Sequence, residues 1–435
     1  MTDTALLPHR SRLRVRRRPA DALRLAATTF VAVLALLAPG TALGESVTLD
    51  GAGGPGGRTT HALGRTSAVA RYDDALHVFY HDATSGDLRL ARRLGATWSF
   101  RTIDGAGGPN GRVDAYVGED QSAIVYGGSL HVFYYDRTHG DLRHGAFDGV
   151  SWSFETLDGA GGSQGRVDAR VGLRLSSTRF AGGLHLIYVR TSGGDVRHAT
   201  YDGETWSFET LDGAGGAAGR IDGNVGWNTA AVVFGSRLHV FYFYQDPNCD
   251  PACHVFGSIR EATYSGTAWT FEHLARINCC FVDQSLAPAK VTDDNVYLFY
   301  ENTGYTSTNL RAKRWNGTMW VSEGCVGEPF VQDSSVGALA SATVIAGRPH
   351  VTYLDTYSSM FERGGIAHTF FNGTRWRTSM IEVDYGAPVT SIRDGGLAVI
   401  IGEATISVDG GYEDDLLLAR PANVGRRFFA DHTCA

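Results

Sequence analysis

Four aspartates and four arginines recur at matched places in one glycine-rich stretch. Asp50, Asp104, Asp158 and Asp212 are followed eight residues later by Arg58, Arg112, Arg166 and Arg220. An arginine fork can hold a carboxylate or a pair of sugar hydroxyls, and bare glycine backbone lets a ligand come close. These eight are therefore the candidate ligand-binding residues. The competing reading is structural: each Asp and Arg fastens neighbouring units by pairing with the other or with loop backbone, since fold-level features outnumber sites. The stretch lacks the alternating oxygens of a calcium loop. His77, His131, His185, His239 and His350 also recur. Five copies read as hydrogen-bonded core histidines, because a catalytic base is needed once. Glycoside cleavage would need one pair of carboxylates about 5–9 Å apart. Glu119, Asp120, Glu301, Glu328 and Asp333 have no match in the repeat and are the candidates. No nucleophile elbow, zincin helix or phosphate loop is present, and no cofactor is expected.

The six cysteines are Cys249, Cys253, Cys279, Cys280, Cys325 and Cys434. An even number in an exported chain favours disulfides, with 15 possible pairings. The simplest expectation joins Cys249 to Cys253 and Cys325 to Cys279 or Cys280. A zinc site using these thiols and His254 is the alternative.

The elements that must position these residues follow from the same spacing. Leu49-Asp50-Gly51-Ala52-Gly53-Gly54 recurs from Ile103, Leu157 and Leu211, 54 residues apart each time. Tyr80, Tyr134, Tyr188 and Tyr242 keep step, as do Trp98, Trp152 and Trp206, and the series continues as Trp269, Trp320 and Trp376. Within a unit, runs such as Leu130–Tyr135 and Trp152–Leu157 are β-branched, aromatic and too short for typical helices. Asp148-Gly149, Asp202-Gly203, Asn316-Gly317 and Asn372-Gly373 mark hairpin turns before each Trp. Each unit is thus four antiparallel strands, a to d. Such a sheet buries both faces only when stacked radially with others. The expected fold is all-β, a seven-bladed β-propeller. Its blades end near Trp98, Trp152, Trp206, Trp269, Trp320 and Trp376, and a closing blade from 387 is completed by residues 46–50. Arg427–Ala430 competes for that closing edge.

The turns Phe147-Asp148-Gly149-Val150-Ser151-Trp152 and Tyr201-Asp202-Gly203-Glu204-Thr205-Trp206 resemble the aspartate box of sialidase-like propellers, although Asp and Gly are adjacent here. That box is a folding motif, and the strand and arginine triad of a sialidase are not recognisable. Arg143-His144 and Arg197-His198 ahead of the Trp are similar to the layout of fucose-binding propeller lectins. Both resemblances cover the blades as a whole and imply a propeller; neither is specific for a ligand.

Of 435 residues 55 are glycine, which excludes a helical bundle, and 43% are hydrophobic, which excludes disorder. Residues 1–44 hold seven Arg before an uncharged run from Leu25 to Ala38, then Ala42-Leu43-Gly44. That order reads as a signal peptide cleaved before Glu45, leaving a secreted domain of 45–435 with no membrane span. The preference for Arg over Lys suggests a GC-rich bacterial genome. Without the leader the formal charge falls from -7 to -12, so nucleic acid is not an expected partner. The leading expectation is a secreted, non-catalytic, carbohydrate-binding propeller whose repeated sites gain avidity on a polysaccharide. The alternatives are a glycoside hydrolase or lyase and a propeller that binds a protein partner.

Overall fold

The computed structural model describes residues 45–246, 256–278, 285–303, 308–327, 335–356, 365–382, 386–393, 397–403, 405–406, 412–413 and 416–420. They form a β-propeller of four-stranded antiparallel blades. Six blades are each built from four consecutive strands and span 63–104, 117–158, 171–212, 225–278, 286–327 and 335–382. They are numbered 1 to 6 below. In blade 2 the strands are Val117–Tyr126 (a), Ser129–Asp136 (b), Asp141–Phe147 (c) and Trp152–Asp158 (d). The expectation of seven blades is corrected to this extent: six are continuous in sequence, and the remaining strands make a composite sheet. It runs Gly386–Arg393, Leu397–Glu403, Leu416–Arg420, Glu45–Asp50, so strands from distant parts of the chain share one ladder. Each a strand touches the a strand of the next blade, and Gly386–Arg393 touches those of blades 6 and 1, which closes the ring. The rival segment Arg427–Ala430 lies outside the described residues, as do residues 1–44. Among the described residues no helix is long and apolar enough to cross a membrane.

The blade-to-blade seams are the core. Alternation along strands b and c sends one row of side chains to each neighbour, so every seam mixes two blades. Between blades 1 and 2, Phe79, Leu88 and Leu90 meet Val117, Leu130, Val132, Tyr134 and Trp152. The Trp that opens strand d stands edge-on to a phenylalanine of the preceding blade. Trp152 meets Phe79 at 5.8 Å, Trp206 meets Phe133 at 5.7 Å and Trp376 meets Phe299 at 5.6 Å. This is a favoured aromatic geometry. The turns before these Trp are Asx turns. Asp148 Oδ1 accepts from the backbone N–H of Val150 and Ser151 at 2.8 and 2.7 Å, and Gly149 takes the positive φ of 100°.

Candidate active site

The repeated aspartates end the outer strands of the composite sheet and of blades 1 to 3. Each is at most 1% exposed, and each reaches into the next blade. Asp158 Oδ1 accepts from Val167 N–H at 2.8 Å, pinning the loop, while Oδ2 accepts from Tyr188 OH at 2.6 Å and Arg197 Nε at 3.0 Å. Arg197 goes on to donate to Gly165 O at 2.7 Å and Thr210 Oγ1 at 3.2 Å. Asp50 does the same with Tyr80 and Arg89, Asp104 with Tyr134 and Arg143, and Asp212 with Tyr242 and Arg260. Burial, and then the adjacent carboxylate, push these phenols well above the ordinary tyrosine range, so they remain protonated donors. The loop is held tightly enough to require glycine. A Cβ at Gly111, whose φ is 80°, would stand 2.0 Å from Phe154 O.

Asp50, Asp104, Asp158 and Asp212 are therefore enclosed in structural clamps and offer no oxygen to a ligand. The arginines expected beside them lie apart. Arg58, Arg166 and Arg220 stack on Phe100, Phe208 and Phe271 of the outer strands at 5.3, 5.3 and 5.5 Å. Arg112 holds the same place in its loop, beside Gly108. The clamping partners Arg89, Arg143, Arg197 and Arg260 come from strand c. Their signal was a spacing of 39 residues from the aspartate, lengthened to 48 by the insertion in blade 4.

Chemistry that varies from blade to blade lies just inside these clamps. In an antiparallel meander the d-to-a and b-to-c connections fall at one end of the strands, which we term the upper end. There strand a carries a bulge after a positive-φ glycine, Gly118, Gly172 or Gly226. Asp120 and Arg174 follow in the left-handed region with φ of 50° and 57°. Such strain in a non-glycine residue concentrates at functional sites. Glu119 Oε1 meets Arg137 Nη1 at 3.0 Å, and Asp120 Oδ2 accepts from Arg174 N–H at 3.2 Å.

The junction between blades 1 and 2 holds a hydrogen-bonded histidine–tyrosine pair. His81 is fully buried at the end of strand b, and Tyr116 is half-buried just before the next strand a. His81 Nδ1 lies 3.0 Å from Val117 O, which can only accept, so Nδ1 carries the hydrogen. Nε2 then accepts from Tyr116 OH at 2.8 Å. Thr138 Oγ1 accepts from Tyr116 N–H at 2.8 Å, and the Arg137 guanidinium stands 5.6 Å over the phenol ring. One blade on, the matched positions are Tyr135 and Arg170, joined by a hydrogen bond of 3.0 Å. One further on they are Val189 and Asn224, which line an open cavity of about 240 Å³ with Arg174, Thr191 and Trp227. Trp227 is 55% exposed, unusual for its type. Sequence reasoning missed His81, Tyr116 and Trp227 because it valued repetition, whereas the sign of these positions is change within a constant frame.

Of the other expected residues, Glu301 is buried on strand b of blade 5, and Glu328 and Asp333 lie outside the described residues. Cys325 is not a free thiol. Cys249, Cys253, Cys279, Cys280, Cys434 and His254 lie outside the described residues. Among the described residues no cluster of His, Cys, Asp or Glu could hold a metal ion. The recurrent histidines pack in the seams as expected, His131 against His144 and His185 against His198, each at 2.9 Å.

No protein-family model matches the chain, and no curated protein does. Solved structures do. A polysaccharide lyase PL25, an ulvan lyase, is 12% identical with a TM-score of 0.51, covering 82% of this chain and 94% of that one. The same lyase bound to -[GlcA(1-4)Rha3S]- gives a TM-score of 0.52. A puromycin-hydrolyzing peptidase of Mycobacterium tuberculosis is 10% identical with a TM-score of 0.50, and the match spans 83% of this chain but 52% of the peptidase. At these identities the likeness shows the propeller fold.

Proposed function

We propose that the protein is a glycan-cleaving propeller, acting at its upper end on a uronate-bearing polysaccharide by β-elimination. The observation that carries this reading is the His81–Tyr116 hydrogen bond of 2.8 Å, set beside Arg137 at one unrepeated junction. A tyrosine whose proton already points at a histidine lone pair is equipped as a general base. Tyr116 Oη takes the C5 proton of the uronate as its own proton passes to His81 Nε2. The C–H electron pair becomes the C4–C5 double bond, the C4–O bond breaks, and the departing oxygen recovers the proton through Tyr116. Arg137 lies where a guanidinium can offset the uronate carboxylate, whose charge grows as C5 loses its proton. Trp227 and Arg174 supply a stacking face and a cation for neighbouring sugar units. The ulvan lyase fold match, one structure of which holds a glucuronate-containing ligand, supports this substrate class.

The repeated-loop lectin reading is given up because its aspartates are enclosed. We retain export as part of the proposal: secreted protein should begin near Glu45 on amino-terminal sequencing. We also count the composite sheet as a seventh blade that seals the ring. The decisive test is incubation with uronate-containing polysaccharides while following the ultraviolet absorbance of the unsaturated product. Tyr116→Phe should lower the rate about 10²–10⁴-fold with the melting temperature unchanged. New reducing ends without the double bond would replace elimination by hydrolysis, and intact polysaccharide throughout would end the enzymatic reading.

A further inference from the structure

The lower end of the junction between blades 1 and 2 holds a second crevice, of about 240 Å³, lined by Tyr72, Asp73, His77, Arg92, Arg101 and Phe147. It lies at the a-to-b and c-to-d turns, at the opposite end of the strands from His81 and Tyr116.

The corresponding places in later blades show what is missing. In blade 2 the seam carries a chain from His131 to His144 at 2.9 Å and from His144 to the Glu155 carboxylate at 3.0 Å, and blade 3 repeats it with His185, His198 and Glu209. Glu209 also accepts from the indole N–H of Trp269, in the next blade, at 3.1 Å. In blade 1 the strand pairing puts Leu90 where His144 stands and Arg101 where Glu155 stands, while Arg92 replaces Ala146. The built-in acid is thus exchanged for two cations. Two buried groups are left without hydrogen-bond partners: His77 Nδ1, in a side chain 2% exposed, and the indole Nε1 of Trp152, 9% exposed. In blades 4 and 5 the matching indoles, of Trp269 and Trp320, are satisfied by a carboxylate of the preceding blade, Glu209 or Glu261, at 3.1 and 3.0 Å. Leaving such groups unpaired in the folded state is unfavourable, so a ligand that pairs them is favoured.

We propose that this crevice binds an external oxyanion, the sulfate ester or carboxylate of a charged sugar unit, which occupies the place of the internal carboxylate. Arg92 and Arg101 grip the oxyanion, Trp152 Nε1 donates to it, and an adjacent sugar hydroxyl meets His77 Nδ1. Tyr72 and Phe147 supply the apolar wall that a sugar ring needs. The site is separate from the upper end and does no chemistry. It would hold a distant part of a polyanionic chain, and its test reads binding alone, so it stands or falls independently of any turnover.

The experiment is calorimetric titration of the mature protein with inorganic sulfate, with inorganic phosphate, and with sulfated and unsulfated oligouronates. Binding of a charged oligosaccharide but not of free sulfate identifies a sugar-borne anion, whereas equal binding of both identifies the bare oxyanion as the recognised group. Arg92→Ala should weaken the interaction at least about tenfold, the scale of one lost charge-assisted hydrogen bond. Arg101→Glu restores the internal acid and should abolish binding while raising the melting temperature. Failure of every anion to bind, or affinities unchanged in both variants, would overturn the proposal.

Discussion

Two sets of residues at the blade junctions follow opposite rules. The clamp of Asp104, Tyr134 and Arg143 is reproduced three more times with the same atoms in the same roles. The neighbouring position filled by His81 becomes Tyr135 and then Val189, while Tyr116 becomes Arg170 and then Asn224. The clamp buries a charge, so removing either partner strands the other and every copy must be complete. At the rim the position of Tyr116, Arg170 and Asn224 is partly open to water, where exchange costs little, and the buried position of His81, Tyr135 and Val189 changes with it, so each junction can take on separate chemistry. Blades 5 and 6 complete the comparison. By strand pairing Ala275 stands where an aspartate would serve blade 5, Arg311 Nε is left buried without a partner, and Ala367 replaces the arginine of blade 6. The regular half of the ring is fastened by charge and the irregular half by apolar packing such as Phe299 against Trp376.

The comparison breaks if the clamp and the rim cannot be damaged separately. Arg143→Met should cost about 3–5 kcal/mol in denaturant unfolding, because Asp104 stays buried, with turnover per folded molecule intact. Tyr116→Phe should do the reverse. Acid should strain the seams next. His77, His131, His185 and His350 are held down at about 4, and His368 at about 3, chiefly by burial. An unfolded chain takes up these protons nearer pH 6.5, so it binds more protons than the folded one across that interval. Stability from this source is complete above pH 6.5 and should drain away as pH falls toward 4, visible as a declining melting temperature. A flat profile would mean the rings are not buried neutral. Ala275→Asp would give blade 5 the missing carboxylate and should gain about 1–2 kcal/mol if Arg311 answers it as Arg260 answers Asp212. The smallest effect should come from Arg166→Ala, which loses a stacking contact with Phe208 worth about 0.5–1 kcal/mol and, under the proposed function, should leave the rate in the polysaccharide assay unchanged.

Much of the architecture was legible because it is periodic. The Asp-Gly turns before Trp152 and Trp206, the short β-branched and aromatic run Leu130–Tyr135 and the glycine stretch after each aspartate are local signals tied to local geometry. The site was less legible. The aspartates were conspicuous through repetition, yet repetition here reports a structural need met at every seam. Arg112, on the loop, lies eight residues from Asp104, yet Arg143, 39 residues away on strand c of the next blade, makes the clamp, and proximity in sequence does not carry that. His81 and Tyr116 meet across 35 residues and two blades. No local pattern joins them, although the alignment of repeats exposes both as departures.

The composite sheet bears on the order in which the protein can be finished. Asp50 ends the strand that pairs with Leu416–Arg420, and the same residue clamps Tyr80 and Arg89 of blade 1. The strand synthesised first among those described must wait for one of the last before it has a ladder to join. Until then blade 1 holds a buried arginine whose counter-charge has not been fixed. Blades 2 to 4 receive their aspartates from the blade just made and can be secured while the rest of the chain is still emerging. Ring closure therefore joins the most distant contacts in the sequence and pays their loop entropy at the end, making it the slow step expected of such long-range pairing.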